Sequence, residues 1–391
     1  MAKKTQASPE ESAGAPPVRR RTLLASAALA AGTPVSPTGP GRTGTGQVPQ
    51  RLVAAQQGAA VRLVAVPAEN RDIGWLRSAL QVAVEIEFST IPPYLCGWWS
   101  VKNGRCEVAR LIRRIVFDEM YHLGIVCNLL VALGGRPRIR TSAPVYPGSL
   151  PGGVHPWVTV YLSGLTKPLV RDVMMAIEAP AAPITQDVNG PLSIGRFYEE
   201  LLEAFRKVAP DLSVARQMHE HIGEDTLTPV RTAADVERSL EIIKDQGEGT
   251  ALSPDNGSGD GQPAHYYAFA EIYHGRQLRE TDGTWQFTGD PVPFPDTRPM
   301  ARVPAGGWHR PPARARRHLD DFDSTYTAVL EALDTAWGRG DRRSLTAAVR
   351  HMQRLERPAV ELMEIPISGT EETYGPQFRA GGCPADRRKG R

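Results

Sequence analysis

The stretch Asp118-Glu119-Met120-Tyr121-His122-Leu123 decides how this chain is read. It lies inside an apolar pattern running from about Glu107 to Leu133, in which Leu111, Ile112, Ile115, Ile125, Val126, Leu129 and Leu133 recur at helical spacing. Glu119 falls between Ile115 and Leu123, and His122 between Glu119 and Val126, so both belong to the apolar stripe rather than the opposite face. A carboxylate on a buried face is costly unless it is paired or bound to a cation. Three residues apart on a helix, a glutamate and a histidine bring an oxygen and an imidazole nitrogen to one point. A metal ion is the simplest occupant, and a buried Glu–His ion pair is the competing one.

Upstream, a second helical pattern starts at Ile73 with Leu76, Leu80, Ala83, Val84, Ile91, Tyr94 and Leu95. Glu87 stands four residues from both Ala83 and Ile91, on the stripe, whereas Glu85 has Gln81 and Ser89 as neighbours and belongs to the polar side. The short connection Lys102–Cys106 predicts an antiparallel hairpin of these two helices, and Gly134-Gly135 ends the second. Two inward carboxylates and a histidine on adjacent helices, followed by a long crossover at 136–167, match the first half of a ferritin-like di-iron or di-manganese arrangement. Pro92 and Pro93 remove two backbone donors one turn after Glu87 and predict a kink or break that opens the bundle there, with Tyr94 beside the opening.

Helical patterns return at about 168–178, 194–208, 233–246 and 264–275; an irregular region at 280–315 precedes a last helical pair. The fold class is mainly α, a bundle with long irregular crossovers and a C-terminal helical hairpin. The chain has 391 residues with 46 Lys+Arg against 43 Asp+Glu, so net charge argues no case for nucleic acid, and four cysteines without a CxxC pair exclude zinc-ribbon and thioredoxin-like readings. No uncharged apolar run reaches the roughly 18–20 residues of a membrane span. Arg20-Arg21-Thr22-Leu23-Leu24 followed by small residues reads as a twin-arginine-type export signal over 1–31, with a cytoplasmic protein as the alternative. Residues 32–70 read as linker, 71–276 as the metal-binding bundle, 277–315 as an irregular connection and 316–391 as the hairpin and tail.

Ile86-Glu87-Phe88-Ser89-Thr90-Ile91-Pro92-Pro93-Tyr94-Leu95 and Asp118–Leu123, with Gly134-Gly135-Arg136-Pro137, resemble the ferritin-like domain of the iminophenyl-pyruvate dimer synthase family. Leu150-Pro151-Gly152-Gly153, Ile177-Glu178-Ala179-Pro180, Gln246-Gly247-Glu248-Gly249 and Ala264–Ile272 fit in the same order. The resemblance covers about Leu76–Arg276. It implies a non-haem iron site of one or, more in keeping with the pattern, two irons, with manganese as the alternative metal, in an oxidoreductase acting on a small organic molecule. It also implies a partner oxidase, if the reaction is the coupling of reactive imines.

Glu87, Glu119 and His122 form the first half of that site. Position within the family motifs favours Glu178, Glu248 and His265 for the second half. The spacing rule alone favours Glu271-Ile272-Tyr273-His274, a second E-x-x-H, completed by Glu199. Pro92, Pro93 and Tyr94 are expected to shape substrate entry. His219-Glu220-His221 reads as a solvated cluster, and Cys96 and Cys106 bracket the hairpin turn, free or paired. A non-catalytic ferritin-like metal-binding or structural protein is the alternative function.

Overall fold

The computed structural model describes residues 58–180, 192–249, 254–257, 261–282 and 284–381; the twin-arginine-type segment 1–31 and the linker up to residue 57 lie outside these. The remainder of the expected linker is not one. Helix α1 (Ala59–Val64) buries Ala60 completely, and its carbonyls accept from Trp75 Nε1 at Leu63 (2.9 Å) and from Arg71 at Val64 (3.0 Å). One turn of helix has too few apolar positions to show a period, which is why the sequence reads as linker there.

Helix α2 (Ile73–Ser100) starts at Asp72, whose side chain caps the Trp75 N–H, and packs as a hairpin against α3 (Glu107–Ala132). Among the described residues α3 is the only helix long and apolar enough to cross a membrane, but it is a core helix whose apolar window is 89% buried. Pro92 and Pro93 do not break α2. The Ser89 carbonyl, which Pro93 cannot serve, accepts instead from the Tyr146 hydroxyl (2.7 Å), so the lost backbone bond is replaced by the crossover.

That crossover also covers the polar side of α2 on which Glu85 stands. Loop residues cover this side of α2: Ser142 Oγ donates to Glu85 (2.9 Å), Gln81 Nε2 approaches it at 3.3 Å, and the Arg138 N–H donates to Gln81. Helix α2 is therefore apolar or buried around nearly its whole girth. Cys96 and Cys106 are free thiols, not a disulfide.

A short antiparallel pair, β1 (Gly148–Ser149) with β2 (Thr159–Val160), leads to α4, a helical segment over 167–177 whose central turn Val170–Met174 is wound as a π-helix. Helix α5 (Ile194–Val208) follows, then the hairpin β3 (Glu220–Ile222) with β4 (Asp225–Leu227). Helix α6 (Ala233–Glu248) opens with a reciprocal Thr232/Asp235 cap, and α7 (His265–His274) returns against α3, α4 and α6. The strands β5 (Arg279–Thr281) and β6 (Thr284–Gln286) pair within the region read as irregular.

The last helices, α8 (Ala313–Arg339) and α9 (Arg342–Leu362), form the expected hairpin, turning at Gly340, whose φ of 71° lies in the left-handed region. It is fastened to the bundle by Trp337 Nε1 donating to Asn128 Oδ1 (2.9 Å) and by Phe322 and Phe378 packing on Trp99. The described residues form a mainly helical bundle with long irregular crossovers and a C-terminal helical hairpin, as the sequence pattern predicts.

Candidate metal centre

Four helices deliver one residue or one pair each to the bundle interior: Glu87 from α2, Glu119 and His122 from α3, Glu178 at the end of α4, and His265 from the first turn of α7. All five are at most 5% exposed. Glu178 follows the π-turn directly, and an i→i+5 turn rotates the residues after it relative to a regular helix. Ligand-type atoms of Glu87, Glu119 and His122 lie within 4.8 Å of one another, and so do those of Glu119, Glu178 and His265. Glu119 belongs to both sets: its Oε1 is 3.6 Å from His122 Nδ1 and 2.9 Å from His265 Nδ1.

Outside this pair of triads a shell of polar groups fixes each donor. Tyr198 donates to Glu87 Oε1 and Tyr94 to Glu178 Oε1, the latter at 2.5 Å. The Thr90 hydroxyl, with a single proton, lies between Glu119 Oε2 (2.7 Å) and the Glu87 carbonyl (2.8 Å). His122 Nε2 meets Gln246 Oε1 at 2.7 Å, and His265 Nε2 meets Asp118 Oδ2 at 3.1 Å. Both imidazoles therefore turn Nδ1 toward the carboxylates.

Burial raises Glu87 above the ordinary carboxylate range, and burial together with the Glu119 charge raises Glu178. Glu119 goes the other way: burial alone would raise it, but the two histidines against it outweigh that and hold it well below the usual range. Burial likewise opposes protonation of His122, and Glu119 and Glu87 overcome this, raising it to about 10. His265 is raised for the same reason by Asp118, Glu119 and Glu178. Without a cation the centre keeps its charges only by borrowing protons on the histidines.

The donor set fits a metal. His265 Nδ1 is completely buried and has no hydrogen-bond partner, since the Glu119 oxygen at 2.9 Å lies out of line for one. Ligands about 2.0–2.2 Å from a shared cation stand roughly 3 Å from each other, and the 2.9–3.7 Å between imidazole nitrogens and carboxylate oxygens here is of that order. Three carboxylates and two imidazoles suit iron or manganese. A cavity adjoins the His122 side, walled by Ile86, Ile177, Ile194 and Ile243, with Lys244 and Glu248 at its α6 edge. Its interior lets the centre of a water-sized sphere range over about 20 Å³, room for one or two waters.

Of the candidates named from sequence, Glu87, Glu119, His122, Glu178 and His265 converge here. Glu248 reaches the cavity wall but not the triads: its carboxylate accepts the Gly195 N–H (2.6 Å), and burial pushes it up to about 7. The competing set does not assemble. Glu199 is exposed and paired with Arg196 (3.4 Å), Glu271 accepts the Leu278 N–H (2.7 Å), and His274 stacks on Phe287. Nor do Pro92, Pro93 and Tyr94 line the cavity, because Tyr94 is fully buried with its hydroxyl aimed at Glu178. His219 and His221 lie at the β3 hairpin, where His221 pairs with Thr226. Sequence reasoning missed Tyr198, Thr90, Asp118 and Gln246. Asp118 alone left a signal, as a second acid beside Glu119.

Residues 80–274 match a family model described as ferritin-like. Among solved structures, a ferritin-like protein from Caulobacter vibrioides superposes with a TM-score of 0.55 at 23% identity, covering 78% of this chain and 97% of that one. No curated protein matches.

Proposed function

We propose that this protein, which carries a ferritin-like domain over residues 80–274, is a non-haem iron oxidoreductase with a two-metal centre, acting on a small organic molecule with dioxygen or peroxide as oxidant. The observation that carries this reading is the pair of buried triads sharing Glu119 beside a small cavity. Glu87, Glu119 and His122 would hold one ion, and Glu119, Glu178 and His265 the other. Manganese is the alternative metal, because mixed carboxylate and imidazole donors suit both.

When bound, such ions supply Lewis-acid and one-electron chemistry that no side chain here offers. The chain itself orients and protects. Tyr94 and Tyr198 hold the terminal carboxylates by donating to them, and burial keeps both phenols protonated. The isoleucine walls surround the donors with apolar groups, which strengthens the charge interactions inside. Glu248, titrating near 7, holds an exchangeable proton on the cavity wall at neutral pH.

The motif order around Glu87, Glu119 and Gln246–Gly249 further supports kinship with the iminophenyl-pyruvate dimer synthases, hence oxidative coupling of a small substrate supplied as a reactive imine by a partner oxidase. The Arg20-Arg21 segment supports export by the twin-arginine route. A second reading, a metal-holding protein without turnover, draws on the cavity's size, which admits water or dioxygen but no organic substrate without movement.

Metal analysis of anoxically purified protein, followed by optical spectroscopy on oxygen addition, tests the reading. About two irons per chain, lost in Glu87→Ala and Glu119→Ala, kept in Glu85→Ala and changing spectrum with oxygen, are expected. Iron without oxygen chemistry favours the second reading, and stoichiometric zinc or no metal in folded protein refutes the first.

A further inference from the structure

The two triads are alike in their inner donors and unlike in what stands behind the imidazoles. His265 Nε2 faces a carboxylate, Asp118 Oδ2 at 3.1 Å, the same oxygen that Arg114 Nη1 approaches at 3.7 Å. His122 Nε2 faces an amide oxygen, Gln246 Oε1 at 2.7 Å. Asp225 also interacts with the Gln246 side chain. A carboxylate accepting from the far ring nitrogen pushes electron density toward the near one and makes it the better donor, and an amide oxygen does so much less.

Access divides the two imidazoles in the same sense. Glu87, Glu119, His122 and Glu178 line the cavity, whereas His265 does not. The two rings are 5.6 Å apart between centroids, so His122 faces the cavity and His265 is set back from it.

From these two asymmetries, and resting on the metal-binding reading above, we infer that the centre loads in order. The Glu119/Glu178/His265 position, backed by Asp118, fills first and tightly. The Glu87/Glu119/His122 position, backed by Gln246, fills second, exchanges, and is the one that meets small molecules entering the cavity. Asp118 and Gln246 act as positioning residues that set this order through the histidines without touching the metal.

Anoxic titration of full-length metal-free protein with cobalt(II) at fixed pH, followed by calorimetry and visible absorbance, tests the inference. The wild type should show two events of different affinity, and azide, as a small anionic probe, should perturb the spectrum of the second equivalent only. Asp118→Asn should weaken the tight event by 10–100-fold while leaving the weaker one in place. Gln246→Glu should tighten the weaker event and narrow the gap, which a merely structural role for Gln246 would not do. Two equal events in the wild type, azide acting on the first equivalent, or a Gln246→Glu variant with an unchanged gap overturns the order while leaving the two-metal reading intact. Failure of folded protein to bind cobalt at all overturns both. Should Asp118→Asn not fold, Gln246→Glu and the azide response decide the matter.

Discussion

The bundle half and the C-terminal hairpin pack long antiparallel helices in the same way and fill them differently. Between α2, α3, α4 and α7 the interior holds three carboxylates and two imidazoles. Between α8 and α9 it holds Ala315, Leu319 and Leu362, and most charges stay outside in pairs such as His318–Glu361 (3.0 Å) and Arg357–Glu361 (3.1 Å). Buried ionic clusters are poor stabilisers compared with well-packed apolar groups, and exposed pairs are worth little. The difference teaches where each task sits: the hairpin and the apolar layers supply stability, and the bundle interior gives some of it up for chemistry.

The comparison is most exposed to breaking at Leu319. Leu319→Ala should cost about 2–5 kcal/mol in urea unfolding, with the metal content of the folded fraction unchanged; a parallel loss of metal would show that the two regions are not separable. Next in size is the metal itself. Manganese(II) at a hundred times its dissociation constant should add about 2.7 kcal/mol to wild-type stability and nothing to Glu119→Ala, measured by unfolding with and without the ion.

A smaller effect sharpens the hairpin side. Burial pushes Asp323 of α8 up to about 6 from its ordinary 3.8, against hydrogen bonds from Gln377 and the Arg379 N–H. A folded state that binds the proton more tightly than the unfolded one has its extra stability below pH 3.8 and loses it as pH rises through about 6. A loss on the order of 1 kcal/mol over that window is expected. The Asp323→Asn variant should flatten it. Smallest of all, Glu199→Ala and His274→Ala should stay within about 0.5 kcal/mol of wild type with undiminished metal, although the second lies in a literal E-x-x-H.

The contrast also explains what the sequence could disclose. The α2–α3 hairpin and the inward aim of Glu87, Glu119 and His122 were legible because period and face are local properties of one helix. Glu85 stands on the polar side as read, but its burial was not legible, because a polar face can still be roofed by another segment, here Ser142 and Arg138 of the crossover. The second triad draws one residue from α4 and one from α7, so no spacing encodes it, and position 262, three before His265, is glutamine rather than glutamate. The E-x-x-H at 271–274 misled because the chain turns back after α7 and uses Glu271 to receive the Leu278 N–H.

The Tyr146 hydroxyl on the Ser89 carbonyl bears on modularity. Loops between bundle helices are ordinarily the parts an engineer shortens, lengthens or exchanges between relatives. Here a connecting loop completes the backbone of a helix it does not itself join, two residues from Glu87. A graft that omits the tyrosine strands a buried carbonyl beside the centre, so this crossover and the proline pair have to be transplanted together.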